Sequence, residues 1–537
     1  MSAVHPSLAR LSEQQANDHG EKTAIIFDGQ ELTFAQVHVR TLRRAAELRA
    51  SGIRRGDRVA YLGPNHPALI ETLLACLRLG AVFIPLNWRL TAGELDFQLA
   101  AAAVSRLIVS DEFHNTAQSL TADVPTVTVG WEPIPADGDP NAADGYVPEV
   151  PAAEVDGSEP ALLLFTSGTT GRPKGAVLTH ANILWNAFNL LLNTDLTADD
   201  RTLVAAPLFH VAALNQQVMT SFIRGASIIV ESKWDIDIVF DLIESHRLTW
   251  LFGVTTMLAG LAQSPRWATT DLSSVRFVNS GGAPVPVSLI HDYQARDIMF
   301  CQGYGLTETA PGCTFLTAEE AMVRPGSAGR AVPFTEVDVR DASGNPCGPG
   351  VRGEIVARGP NVMGAYWNDE AATAAAFSPG GWFHTGDIGY LDEDGFLFIV
   401  DRLKDMFISG GENVYPAEIE SALFAHPDVN EAAVVATADE KWGEVGHAFV
   451  VPAPQTSPTA NELRAFLTER LAKYKVPKFF DIVDSLPRTG SGKVHKVSLR
   501  RTNALGAHSR TDDSTGGADS AATVPATAPT APTKDQA

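Results

Sequence analysis

Up to about residue 400 the chain alternates between two periodicities, and that alternation restricts the architectures open to it. The run ELTFAQVHVRTLRRAAELRA sets Phe34, Val37, Leu42, Ala45 and Leu48 at helical spacing behind Thr33, a residue type suited to an N-cap. RVAYLGPN (58–65) predicts a strand and turn, HPALIETLLACLRLG (66–80) a helix, and AVFIPLN (81–87) a second strand. SIIV (227–230), TWLFG (249–253), VRFVNS (275–280) and IMFCQGYG (298–305) predict further short strands. Helical stretches such as DIDIVFDLIESH and VSLIHDYQAR lie between them. Strands alternating with helices build βαβ units and largely parallel sheets buried on both faces. Such sheets bind ligands at the carboxyl ends of their strands.

After residue 404 the rhythm changes. PAEIESALFAHP reads as a helix, NEAAVVATA and HAFVVPA as strands, TANELRAFLTERLAKY as a helix and FFDIVDSLP as a strand, which describes a smaller α+β unit. From about Ala507 on the residues are mostly Ala, Thr, Pro, Ser, Gly and Asp, with Val524 the only larger aliphatic residue from Thr511 to Ala537; that is too little apolar surface to offset the entropy of ordering, so a disordered tail is expected. A length of 537 residues, at about 150 per domain, suggests three or four compact units. The expected fold class is α/β. A large N-terminal domain (1–403) of βαβ-type subdomains with mostly parallel sheets is joined through a hinge to a small α+β C-terminal domain (404–503), with a tail at 504–537.

Lys and Arg total 41 against 63 Asp and Glu, a net charge of -22. That balance argues against a nucleic-acid binder or a protein held on an anionic membrane, but it permits a small basic site for a phosphate. Cys76, Cys301, Cys313 and Cys347 stand far apart with no CxxC pair, so neither a zinc site nor a disulfide framework is expected. MSAVHPSLARLSEQQ lacks the apolar core of a secretory signal, and no apolar run reaches membrane-spanning length. A soluble, cytoplasmic protein is expected.

The strongest chemical signal follows an apolar strand, ALLLF (161–165), which runs directly into TSGTTGRPKG (166–175). Three glycines let backbone N–H groups converge, four hydroxyls add donors, and Lys174 adds a cation, together an anion cradle. This is not a Walker A loop, because Pro173 precedes the lysine and Gly175 follows it, leading into the strand-like AVLTH. The loop resembles the signature of the adenylate-forming superfamily: acyl-CoA synthetases, adenylation domains of peptide synthetases, and luciferases. Those proteins activate a carboxylate as an acyl-AMP, and within them this chain is most similar to acyl-CoA synthetases of the fatty-acid and aryl-acid type. The resemblance covers approximately residues 10–503, with the motifs in family order.

The resemblance implies a role for each further motif. In the loop, Thr166, Ser167, Gly168, Thr169, Thr170 and Lys174 would hold phosphate. GGAP (281–284) would line the adenine and acyl pockets with Gly282, Ala283 and Pro284. YGLTE (304–308) follows a strand; Tyr304 would pack on adenine beside Gly305, Thr307 would donate to phosphate, and Glu308, with Thr166, would hold Mg2+, a hard cation that prefers such oxygens. In WFHTGD (382–387), Asp387 would accept from the ribose hydroxyls, and in DRLKDMFISGGENVYPAEIE (401–420) Arg402 would reach ribose and phosphates. Lys404 matches the hinge position. PRTGSGK (487–493) resembles the catalytic loop whose lysine, here Lys493, bridges the substrate carboxylate and the α-phosphate. His210, in PLFH, would border the acyl site. Gly410, Gly411 and Trp442 would border the pantetheine channel of CoA.

By the same resemblance the acyl pocket falls on Ala212, Gln216, Val254, Thr255, Gly303, Thr309, Ala310 and Pro311. None is charged, and no buried Arg is evident to pair with a second carboxylate, so an apolar monocarboxylic acid is expected, either a fatty acid or an aryl or cinnamate-type acid. Plant coumarate ligases usually carry tyrosine where Ala212 stands, which argues against that exact substrate. The expected activity is an ATP- and Mg2+-dependent acid–CoA ligase, a monomer or homodimer with no nucleic-acid partner. Loading of a carrier protein, a luciferase-like oxygenase and a non-catalytic nucleotide binder are the alternatives. DSL (484–486) resembles a phosphopantetheine attachment site only superficially, and the absence of a carrier bundle after it favours free CoA.

Overall fold

The computed structural model describes residues 6–130, 147–166, 173–282, 285–324, 326–403, 405–409, 412–439, 441–489 and 494–506. Two large sheets carry the alternating part of the chain. The first has the strand order Ala365–Tyr366, Lys174–Thr179, Pro160–Thr166, Val82–Leu86, Arg58–Leu62, Arg106–Ser110, Thr126–Val129. From Pro160–Thr166 to Thr126–Val129 the pairing is parallel, and the two strands at the other edge are antiparallel. The second sheet runs Arg330–Ala331, Thr314–Leu316, Met299–Tyr304, Phe277–Gly281, Trp250–Phe252, Arg201–Val204, Ser227–Val230, Thr23–Phe27, Gln30–Thr33, parallel through its six central strands. Val59, Ala60, Tyr61 and Leu62 are all buried, as a strand covered on both faces requires.

Helices form where the periodicity places them. Phe34–Ala50 starts at Thr33, whose Oγ1 accepts from Gln36 N at 3.2 Å while Gln36 Oε1 accepts from Thr33 N at 2.8 Å, a full capping box. Pro67–Leu79 ends on Gly80 at φ 68°, the left-handed conformation that closes a helix without a Cβ penalty. Among the described residues no helix is long and apolar enough to cross a membrane.

The alternation expected up to about residue 400 stops near Val332. Glu336–Arg340, Gly353–Arg358, Trp382–Leu391, Phe377–Ser378 and Leu397–Arg402 form a third sheet in which every pairing is antiparallel. The reason is local. Asp341-Ala-Ser-Gly344 and Asp392-Glu-Asp-Gly395 are tight turns, closed by Gly344 N donating to Asp341 O at 2.9 Å and Gly395 N to Asp392 O at 3.1 Å. The second turn joins Trp382–Leu391 directly to Leu397–Arg402, and strands joined by so short a connection run antiparallel, whereas the first reverses the chain within the longer connection 341–352.

The small C-terminal unit has its own sheet, ordered Glu412–Val414, Phe407–Ser409, Gly443–Pro452, Val429–Asp439, with Phe479–Ile482 parallel to Gly443–Pro452. Helices Pro416–Phe424 and Ala460–Thr468 cover one face through Ile419, Leu423, Leu463 and Leu467, and Leu499 of the last helix, Lys496–Gly506, covers the other with Ala433, Val435 and Phe449. That last helix runs past residue 504, where the tail was expected to begin, because Asn503, Ala504 and Leu505 continue its turn. Residues 507–537, the rest of the expected tail, lie outside the described residues.

A charge cluster ties this helix to the end of the third sheet. Lys496 Nζ is 2.8 Å from Glu420 Oε1, Arg500 Nη2 is 2.6 Å from Asp405 Oδ1, and Asp401 Oδ2 accepts from Ala417 N at 2.8 Å. Burial pushes Asp401 up to about 6, against the attraction of Lys496. Folding therefore holds the Asp401 proton more tightly than the unfolded chain does. Protonation stabilises the fold, fully below the ordinary carboxyl range, and this contribution is lost as pH rises through about 6. Lys496→Met is expected to destabilise the protein by about 2–3 kcal/mol at pH 7.5, because it strands Glu420 and Asp401 without their cation. The deficit narrows as pH falls through 6 and Asp401 becomes neutral. Urea melts at pH 5 and pH 7.5 test this; an equal deficit at both values rejects it.

Candidate active site

Three stretches of chain converge at the carboxyl ends of the two large sheets. The strand Pro160–Thr166 delivers Thr166, and its antiparallel neighbour Lys174–Thr179 brings Lys174 opposite it in register. Between them, Ser167, Gly168, Thr169 and Thr170 lie outside the described residues. From the second sheet, Met299–Tyr304 leads into Gly305 and a 3-10 turn, Thr307–Thr309. Gly305 tolerates no side chain, since a Cβ there would sit 1.5 Å from Pro311 O. That close approach folds the chain back and sets Glu308 facing Thr166.

Glu308 is 7% exposed. Its Oε1 accepts from Tyr366 OH at 2.9 Å and from Thr166 Oγ1 at 3.3 Å, and its carbonyl accepts from Met363 N at 2.8 Å. Lys174 Nζ lies 5.1 Å from the centre of the Tyr366 ring. Burial and the Glu308 carboxylate push the Tyr366 phenol well up, so it stays a neutral donor. A carboxylate beside a hydroxyl is a hard-oxygen donor set of the kind Mg2+ prefers. Among the described residues no three His, Cys, Asp or Glu side chains converge as a metal cage. A cation at Glu308 would take its remaining ligands from substrate oxygens.

The third sheet adds a second cluster. Asp387 and Arg402 are paired across adjacent strands, with Arg402 Nε 3.3 Å from Asp387 Oδ1. Tyr304 OH donates to Asp387 Oδ2 at 2.8 Å. Burial and the neighbouring Asp387 carboxylate raise the Tyr304 phenol well above its ordinary value, so it too remains protonated.

A cavity of about 460 Å3 opens beside Tyr304, Gly305 and Thr307. His210, Ala212, Gln216, Val254, Gly282 and Gly303 line it, as does Pro311. Ala212 and Gln216 reach it from an eight-residue π-helical stretch, Ala212–Met219, a geometry rare outside functional sites. Three expected lining residues do not belong to its wall. Thr309 and Ala310 are fully buried in the turn behind it, where Thr309 Oγ1 donates to Pro311 O at 2.7 Å. Thr255 heads the helix Thr255–Gln263, and its neighbours Thr256 and Met257 take the wall instead. The expected pocket positions are uncharged, and two exposed cations also border the cavity. Arg89 and Lys233 both line it, Arg89 with its guanidinium 4.8 Å from the Trp88 ring centre. They come from surface segments, 87–90 and 231–234, with no motif to mark them.

The remaining expected positions are scattered or undescribed. Trp442 is exposed on the C-terminal unit, with Lys441 Nζ 5.0 Å over its ring, and does not line the cavity. Ala283, Pro284, Lys404, Gly410, Gly411 and Lys493 lie outside the described residues. Tyr366 is the residue that sequence reasoning missed. It sits in NVMGAYWN, a stretch with no periodic or compositional signal.

The AMP-binding enzyme family matches residues 12–367, and its C-terminal domain matches residues 418–493. A feruloyl-CoA synthase from Amycolatopsis is 48% identical over 479 residues, covering 89% of this chain and 95% of its own length. An indoleacetate–CoA ligase from Aromatoleum aromaticum is 42% identical, covering 92% and 98%. The o-succinylbenzoate CoA synthetase of Bacillus subtilis, solved with its acyl-adenylate intermediate, superposes with a TM-score of 0.82 at 35% identity, covering 91% and 98%. The same synthetase has been solved with ATP and a magnesium ion, again at a TM-score of 0.82.

Proposed function

Because the chain belongs to the AMP-binding enzyme family and is an acid–CoA ligase that forms its thioester through an acyl-AMP, we propose that its acid is an aromatic monocarboxylate. The observation that carries this reading is the cavity beside Thr307, walled by Trp88, Trp234, Phe252 and Phe315. Aromatic walls gain most from a flat ring. Ala212 is small and leaves room for that ring beside the π-helical stretch. Two relatives in the comparison are named for aromatic acids, ferulate and indoleacetate.

The chemistry assigns the parts. A carboxylate attacking the α-phosphate of ATP brings two anions together and must expel pyrophosphate. Tyr304 packs on the adenine, between the strand end and the segment Gly282, Ala283 and Pro284. On substrate binding Asp387 exchanges the Tyr304 hydroxyl for the ribose hydroxyls, and Arg402 guards the same sugar. The loop hydroxyls of Thr166, Ser167, Thr169 and Thr170, with Lys174, hold the leaving phosphates, and Thr307 donates to the α-phosphate. Glu308 and Thr166 hold the Mg2+. When bound, Mg2+ offsets charge on the departing pyrophosphate. Lys493 aligns the carboxylate with the α-phosphate and steadies charge in the transition state.

The small domain, residues 404–503, then turns about Lys404 and exchanges the catalytic loop for Gly410, Gly411 and Trp442 at the path of the CoA thiol. His210 borders the acyl carbonyl through both steps. The enzyme works in the cytoplasm as a monomer or homodimer.

Pyrophosphate release across a panel of acids tests the substrate class. Cinnamate-type and arylacetic acids are expected to give kcat/KM values roughly tenfold or more above those of straight-chain fatty acids of equal carbon number. A preference for the fatty acids removes the aromatic reading and leaves the ligase intact.

A further inference from the structure

The cavity wall contains a polar group that the fold leaves without use. Helix His180–Asn193 presents Asn186, Asn189 and Leu190 to the cavity at spacings of three and four residues. Asn189 has a partner at each of its polar atoms. Its Oδ1 accepts from Phe334 N at 3.0 Å and its Nδ2 donates to Thr335 Oγ1 at 3.3 Å. Asn186 does not. Its Oδ1 accepts from Gly312 N at 3.0 Å, which fixes the orientation of the amide, and its Nδ2 has no partner among the described residues. Asn186 is 3% exposed. A buried amide donor left unpaired is costly, and native structures keep few such groups without a reason. Leu190, Phe315 and Val332, which pack together, are apolar and line the same cavity. Ser280, 1% exposed, is a second lining residue whose hydroxyl is unpartnered among the described residues.

Resting on the aromatic-acid reading above, we infer that Asn186 is a specificity residue whose Nδ2 donates to an oxygen on the ring of the acid, a phenolic hydroxyl or an aryl ether. The acid's carboxylate belongs at Thr307, and a ring oxygen elsewhere in the cavity meets Asn186 among the apolar residues Leu190, Phe315 and Val332. An acid lacking that oxygen leaves the amide buried and unpaired, which is the situation in which a site discriminates most strongly.

The test compares 4-hydroxy-3-methoxycinnamate with unsubstituted cinnamate, by kcat/KM for pyrophosphate release, in the wild type and two variants. Asn186→Leu removes the whole amide. Asn186→Asp keeps an oxygen for Gly312 N and exchanges the amide donor for a carboxyl group, so it reports on recognition even if the leucine variant folds poorly. The wild type is expected to favour the oxygenated acid by roughly tenfold to a hundredfold. Both variants lose that preference, through a fall on the oxygenated acid and a change of less than about threefold on cinnamate. Equal losses on both acids, or a wild type without preference, overturn the assignment while leaving the ligase reading standing. Failure of both acids in a wild type that turns over fatty acids sinks the aromatic reading and this assignment with it.

Discussion

Lys493→Ala is expected to slow acid-dependent pyrophosphate release by roughly 100- to 1000-fold, about 3–4 kcal/mol of transition-state stabilisation. The reason lies in charge. The protein carries a net charge of -22, and its substrates are a carboxylate and a polyphosphate. The cations of the site must be supplied locally, and on the proposed reading Lys174 and Arg402 serve the tail phosphates and the ribose. That leaves Lys493 to hold two mutually repelling oxygens in line. The same variant, given preformed acyl-AMP and CoA, is expected to make thioester at close to the wild-type rate, since the lysine acts only in the first step. Rapid-quench measurement of each half-reaction checks both statements. An equal loss in the two steps would mean that Lys493 matters for folding or domain packing and not for adenylation.

Glu308→Gln carries an effect of similar size through a different cause. Glutamine keeps an oxygen that can accept from Tyr366 OH and Thr166 Oγ1, the contacts at 2.9 and 3.3 Å, so the turn at Thr307–Thr309 is retained. What disappears is the negative charge. On the present account kcat for adenylation falls roughly 100-fold or more, and the Mg2+ concentration giving half-maximal rate rises about tenfold. Titration of Mg2+ at saturating ATP separates the two. If kcat falls with an unchanged Mg2+ requirement, Glu308 orders the turn and is not the metal's carboxylate.

Much of this site could be read from sequence, and the residues that could share one property. Thr166, Lys174, Tyr304, Glu308, Asp387 and Arg402 stand in short runs whose chemistry is unusual for an ordinary turn. Alternation placed the first of these at strand ends, because a strand buried on both faces must be an apolar run bounded by polar turns. Tyr366 and Asn186 were not legible. Each is a single residue on an ordinary element, and each acquires meaning only when a distant segment meets it: Glu308 across 58 positions, and Gly312 across 126. Arg89 and Lys233, exposed residues bordering the cavity, were missed for the same reason. The antiparallel sheet of Glu336–Arg402 was hidden because its strands also alternate with polar stretches, and only the Asp392–Gly395 turn marks a hairpin directly.

The central claim is that this chain makes a thioester through an acyl-AMP, and exchange of labelled pyrophosphate into ATP without CoA tests it most directly. With an aromatic acid and Mg2+ present, the account predicts acid-dependent exchange, and addition of CoA then yields thioester and AMP in equal amounts. Thioester formed alongside ADP, or no exchange with any acid, would contradict it.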